Sequence, residues 1–424
     1  MTNVPRNMIL HLTTCRPAFL ARVVFACSLT LALAQTALAQ TLTILHVFSG
    51  GGDGFGPFAG LTIDGAGNLY GTTVNGGQGT CPRGCGLAFK LTHRASGWVL
   101  TPLYYFQGGD DGGYPEARLT FGPDGRLYGN TCGEDGGSCA GPPYSPANMD
   151  GTVFSLGPPP HVPNNILGGW TQTVLYQAGT PSGQLIFDRA GNIYGTNGSC
   201  VFELMPSGGG WVPSPLYCFT GGNDGDDPTS GVVMDRAGNL YGTTAYGGGA
   251  AYCARGCGTV FELTPSGSGW TETILHSFQG GDDGYFPFGG LTFDRLGNIY
   301  GTTAGGGPGG GGTVFTLTPS SGGWAFRQIY PLVGQQCEEP PGPYDTLAID
   351  GSGSLYGATL CDGGGGNVFK LTPNPGGGWS YINVYQFHNV YGLSVGGVSL
   401  DANGNIFGTS AFGGQYGAVW EITP

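Results

Sequence analysis

The chain has 424 residues, of which 87 are Gly and 30 Pro, with only 10% charged. That density of turn formers excludes a helix bundle, while 39% hydrophobic and 12% aromatic residues exclude a disordered or collagen-like chain. A formal net charge of −13 makes nucleic acid and anionic lipid poor partners and leaves cations, sugars and proteins open.

Residues 1–39 carry Arg6, Arg16 and Arg22 and no acid, then an apolar run from Val23 to Leu33, then Ala37-Leu38-Ala39. This is the pattern of a secretory signal peptide cleaved after Ala39, because the apolar run is too short to span a bilayer. Cleavage leaves residues 40–424 with 11 basic residues against 27 acidic ones, a net charge of −16. The mature chain is expected to be exported to the cell surface, the periplasm or the medium, without a transmembrane segment.

From residue 41 onward the chain repeats itself. An isolated β-like run, TLTILHVF (41–48), is followed by LTIDGAGNLYGTT (61–73), the first of seven copies of one unit. The others are LTFGPDGRLYGNT (119–131), LIFDRAGNIYGTN (185–197), VVMDRAGNLYGTT (232–244), LTFDRLGNIYGTT (291–303), LAIDGSGSLYGAT (347–359) and VSLDANGNIFGTS (398–410). Each copy reads as two short strands joined by a tight turn, with a Val-Phe strand such as GTVFELTP (258–265) after it and a strand such as TETILHSF (271–278) after that. Four strands in each of seven units, separated by Gly, Pro, Asp and Asn, predict an all-β, seven-bladed β-propeller over residues 40–424. With the hairpin innermost in every blade, the opening run at 41–48 becomes the outer strand of the last blade, pairing with AVWEITP (418–424) and closing the ring.

The repeat resembles the bacterial "GloVer" tandem-repeat family, named for Gloeobacter and Verrucomicrobia. The likeness rests on the seven copies together with Gly-Thr-Val-Phe-x-Leu-Thr-Pro at 258–265 and 312–319, in weaker form at 151–158. It implies an exported repeat protein with no established activity and, in many members, a C-terminal sorting anchor, which is not expected here. The Asp-x-x-Gly-Asn-Leu-Tyr hairpin is also similar to those of NHL-type and lyase-type propellers, a likeness of fold.

The recurrent acids Asp64, Asp188, Asp235, Asp294, Asp350 and Asp401 open the tight turns, where a carboxylate caps backbone N–H groups one to three residues on. A second acidic pattern occupies the connections between blades: GGDG (51–54), GGDDGGYP (108–115), GGNDGDDP (221–228) and GGDDGYFP (280–287). Their Asp53, Asp110, Asp111, Asp224, Asp282 and Asp283 are oxygen donors of the kind Ca²⁺ takes, although simple turn capping accounts for the same pattern and no EF-hand spacing is present. Ten cysteines follow the leader. Cys81 with Cys85, Cys132 with Cys139, Cys200 with Cys218, Cys253 with Cys257, and Cys337 with Cys361 each fall within one repeat, which predicts five local disulfides in an oxidising compartment.

Six tryptophans, Trp98, Trp170, Trp211, Trp270, Trp324 and Trp379, begin the fourth strands, placed to pack over the turns or to stack on sugars. His46 and His276 occupy a slot filled by Tyr in the other repeats and are read as packing residues. No nucleophile elbow or triad is visible. The expected function is a non-catalytic binding module, monomeric, recognising a protein or carbohydrate through the face bearing the acidic and cysteine loops. The alternative is a polysaccharide hydrolase or lyase using nonrepeated carboxylates such as Glu116, Glu134, Asp135, Glu338 and Glu339.

Overall fold

The computed structural model describes residues 40–132, 151–159, 161–162, 165–166, 169–267, 269–334, 342–360, 365–388, 396–411 and 416–424. Seven four-stranded antiparallel sheets form a ring of blades, and in six of them the strand order from the inside outward follows the chain. Blade one comprises Thr62–Ile63, Leu69–Thr73, Leu87–Arg94 and Gly97–Tyr105. Blades three, four, five and six repeat this arrangement from Pro181, Val232, Thr292 and Ala348. Blade two, which starts at Thr120, takes the small hairpin His161–Val162/Asn165–Ile166 between its third and fourth strands.

Blade seven is built from both ends of the ring. Ser399–Leu400, Ile406–Ser410 and Ala418–Thr423 supply three strands, and Thr41–Val47 pairs on the outside with a register running from Thr41↔Thr423 to Val47↔Ala418. Inside the ring, Ser399 Oγ donates to Leu61 O at 2.5 Å and Thr409 Oγ1 to Ala59 O at 3.0 Å, both from blade seven to blade one. Thr120 Oγ1 donates in the same way to Leu185 O, from blade two to blade three, at 2.8 Å. The innermost strands are thus tied sideways by hydroxyl groups as well as by packing.

The hydrophobic core is divided into seven clusters, and each lies between two adjacent blades. Every cluster takes the repeat aromatic of one blade, Tyr70, Tyr128, Tyr194, Tyr241, Tyr300, Tyr356 or Phe407, and packs it against its neighbour. The tryptophans complete the same interfaces: Trp324 meets Tyr241, Trp379 meets Tyr300 and Trp98 meets Phe407, each edge to face.

The glycine of the Tyr-Gly-Thr unit follows from this packing. On the third strand the cross-strand partner of Gly301 is Phe315, fully buried, and a Cβ on Gly301 would lie 2.4 Å from its Cζ. The pair recurs as Gly71 with Phe89, Gly242 with Phe261 and Gly357 with Phe369, while blade seven uses Gly408 with Trp420. The ring of the third strand lies across the backbone of the second, and only a residue without a side chain admits it.

Two stability measurements follow. Gly301→Ala is expected to cost about 1–3 kcal/mol of unfolding free energy by overpacking, and adding Phe315→Leu should recover part of that loss. A chain lacking residues 41–47 should unfold at a markedly lower temperature across the whole ring, because the last blade loses its outer strand and its register with blade one. An unchanged melting temperature would show that the clasp contributes little.

Candidate functional site

The chain path places two kinds of connection on one face: the loops between second and third strands, which carry the cysteines, and the connections that run from each outer strand to the next blade. They touch directly. Tyr114 N donates to Cys85 O at 2.9 Å, and Gly77 N donates to Gly51 O at 3.0 Å. The Asp-x-x-Gly-Asn hairpins lie on the opposite face.

Three disulfides brace the loop face and its rim: Cys81–Cys85, Cys200–Cys218 and Cys253–Cys257. Cys132 is buried in the equivalent loop of blade two, and its expected partner Cys139 lies outside the described residues, as do Cys337 and Cys361. Glu134, Asp135, Glu338, Glu339 and the leader segment 1–39 lie outside them as well.

The acidic connections share one local geometry. Asp53, Asp111, Asp224 and Asp283 each accept the backbone N–H of the residue four positions earlier, from Ser49, Gln107, Thr220 and Gln279, at 3.0, 2.7, 2.8 and 2.8 Å. Each also meets the side chain seven positions earlier. Tyr104 OH and Tyr217 OH donate at 2.7 and 3.3 Å, and the Nε2 atoms of His46 and His276 lie 3.1 Å from Asp53 and Asp283. Partial burial pushes the Asp53 and Asp224 carboxyls up, but the hydrogen bonds from Ser49 and His46, and from Thr220 and Tyr217, outweigh it and hold both below the ordinary range. Asp110 and Asp282 are exposed, and Asp110 Oδ1 lies 3.4 Å from Gln177 Nε2. Among the described residues no three His, Cys, Asp or Glu side chains converge as a metal-binding group.

The hairpin acids are bound just as closely on the other face. In the first copy Ala66 N and Asn68 N donate to Asp64 Oδ1, both at 2.9 Å, while Asn68 Nδ2 and Tyr70 OH donate to Oδ2 at 2.7 and 3.0 Å. The backbone donors stand two and four residues on and the tyrosine six, so the carboxylate fills the whole turn. Asp188, Asp235 and Asp294 repeat the set, Asp350 takes Ser352 and Ser354, and Asp401 takes Asn403 and Asn405. In blade two Asp124 does this work from a shifted position, accepting from Arg126 N and Tyr128 OH.

Two features with no counterpart in the other repeats stand out against this pattern. At the mouth of the central channel Arg118, just before the inner strand of blade two, reaches towards Asp345, just before that of blade six, with Nη2 to Oδ2 at 3.8 Å. Arg118 Nη2 also approaches Val398 O at 3.4 Å, and Asp345 accepts Gly397 N at 2.6 Å. Gly60 and Gly397, which hold the place of Arg118 in blades one and seven, lie directly beside the pair: a Cβ on them would come within 2.1 Å of Arg118 Nη2 and 2.2 Å of Asp345 Oδ2. One ion pair therefore crosses the inner ring of strands. Neither residue was singled out from the sequence; the available signal was a charge where the other repeats have Gly, Gln or Thr (Arg118) and Ala, Gly or Ser (Asp345).

The second is Glu272, on the outer strand of blade four. Its counterparts in the other blades include Leu100, Pro213 and Phe326. Glu272 Oε1 is buried without a hydrogen-bond partner, and burial, reinforced by the nearby Asp224 charge, pushes its carboxyl up to about 7. Tyr217, which bridges to Asp224, feels the same charge. A carboxyl titrating near neutrality has the property a general acid needs; this one is half-buried on an outer strand with its Oε1 sealed from solvent.

The family model for the Gloeobacter/Verrucomicrobia repeat matches residues 148–342 and 253–424. No curated protein matches the chain. Among solved structures, a streptogramin B lyase is similar at 14% identity and TM-score 0.55, over 91% of this chain and 97% of that one. Virginiamycin B lyase from Staphylococcus aureus is similar at 13% identity and TM-score 0.54, over 91% of this chain and 99% of that one. An extracellular domain from B. thetaiotaomicron is similar at 10% identity and TM-score 0.52, over 89% of this chain and 39% of that one. At these identities the likeness is one of fold.

Glu272 makes stability depend on pH in a definite direction. Its folded value, about 7, exceeds the ordinary 4.5, so its contribution is fully present below pH 4.5 and is lost as pH rises through about 7. Glu272→Gln should therefore shrink the fall in melting temperature between pH 5 and pH 8.5, and an undiminished fall would place the titration elsewhere. The match of the family model to residues 148–342 and 253–424, more than half of the chain, establishes that the chain belongs to the Gloeobacter/Verrucomicrobia repeat family.

Proposed function

We propose that the protein is an exported, non-catalytic binding module acting at or outside the cell surface. The observation that carries this reading is the commitment of its acids. The recurrent hairpin carboxylates and four of the acidic-connection carboxylates accept backbone and side-chain hydrogen bonds inside their own turns, and the channel mouth is spanned by the Arg118–Asp345 pair. A glycosidase needs two carboxyl groups facing one substrate bond. Export is supported by the leader pattern of residues 1–39 and by disulfides, which persist in oxidising compartments.

A polysaccharide panel tests this reading by two readouts on the oxidised protein. The expected outcome is a ligand-dependent rise in melting temperature with no new reducing ends and no unsaturated products. Product formation that disappears in Asp345→Asn, with the fold intact, would overturn the proposal in favour of a channel-centred enzyme.

A further inference from the structure

On the hairpin face, the turns of blades five and six flank a groove of about 460 Å³. Its apolar walls are Phe293, Leu296, Ile349 and Trp379, with Arg295 beside them. Leu296 is 85% exposed, a large apolar side chain left in water at a turn tip where other repeats have Ala, Ser, Asn or Asp. Trp379 is half-buried: one ring contact is with Tyr300, and the ring also lines the groove.

One wall of the groove is a glycine. The position after the capping Asp is Arg in three consecutive blades, Arg189, Arg236 and Arg295, all exposed. In blade six the same position is Gly351, and a Cβ there would lie 3.8 Å from an Arg295 guanidinium nitrogen. The Arg295 guanidinium therefore lines the groove next to Gly351, with no second arginine beside it from blade six. Among the described residues none of the ion pairs involves Arg295. The neighbouring carboxylates do not neutralise it: Asp294 and Asp350 are turned into their own hairpins, and Asp350 has Lys370 Nζ at 3.9 Å.

We infer that this groove binds an acidic sugar chain, one whose pyranose units carry carboxylates. The Trp379 ring and Leu296 take the apolar C–H face of a sugar, the Arg295 fork takes its carboxylate, and Ser352 Oγ, which donates to Asp350, keeps a lone pair to accept from a ring hydroxyl. Arg236 and Arg189 stand on successive hairpins of the same face and supply further positive charge to a longer chain. In a protein with only 14 Lys and Arg against 27 Asp and Glu, such a row of exposed cations marks the polarity of the partner. The inference rests on the binding-module reading above and names its ligand class and site.

Calorimetric titration of the oxidised protein with trigalacturonate, with the uncharged galactose trimer and with benzoate tests it. Trigalacturonate is expected to bind, more weakly as salt is raised, with affinity falling about tenfold or more in Arg295→Ala. Gly351→Arg is expected to abolish binding by filling the groove. That variant places a residue already accepted at three equivalent turns, so melting curves should match those of the parent. Equal binding of the uncharged trimer, a match by benzoate, no binding of trigalacturonate, or affinity unchanged in both variants would each overturn the acidic-sugar site. Turnover of any of these sugars would instead overturn the binding-module reading itself, so the two failures are distinguishable.

Discussion

The structure depends on the contact between one blade and the next. A four-stranded blade has two faces and no core of its own, so its apolar side chains must be covered by its neighbours. The repeat aromatic does this at every interface, and the third-strand ring is brought in close by the glycine it lies across. Each buried cluster is shared by two blades, and none belongs to one blade alone. Closure is therefore a condition of stability for all seven blades, and the exchange of Thr41–Val47 into the last blade is how an open chain meets it.

The same economy governs charge. A chain with net charge −13 must place many carboxylates in a structure with few cations to pair them. It does so by giving most of the recurrent ones backbone N–H groups as partners, which stabilise the ionised form without a counter-ion. That leaves chemistry to the exceptions: Arg118 with Asp345 in the channel mouth, Glu272 on the outer strand of blade four, and Arg295 beside an open groove. Arg118, Asp345 and Glu272 each occupy a position where the other repeats carry a different residue type, whereas Arg295 shares its position with Arg189 and Arg236 and has Gly351 as its counterpart on the next blade.

Much of the fold was legible because the repeat encodes it seven times. Strand order within a blade, the inner placement of the hairpin and the closing role of residues 41–48 all follow from the phase of the seven copies, and the sheets have that order. Less of the site was legible. The pairing of His46 with Asp53, and of Tyr104 with Asp111, has a regular spacing of seven, but the histidines read as packing residues because their partner lies across a turn whose geometry the sequence does not state. Arg118 and Asp345 are far apart in the chain and meet only because the ring brings blades two and six to one axis. The groove was hidden for a different reason. Its lining comes from the turns of two blades, and Gly351 alone marked nothing in the sequence because Gly65 holds the same place in the first copy.

Native-state hydrogen exchange of the intact protein tests the interlocking of the blades most directly. If the ring stands as one cooperative unit, the bonded amides of Thr41–Val47 and of the second strands, such as Ile299–Thr303, should exchange only through global unfolding, with the same free energy and the same denaturant dependence. Exchange of the 41–47 amides through a separate, low-energy opening, while the other blades keep their protection, would contradict that account.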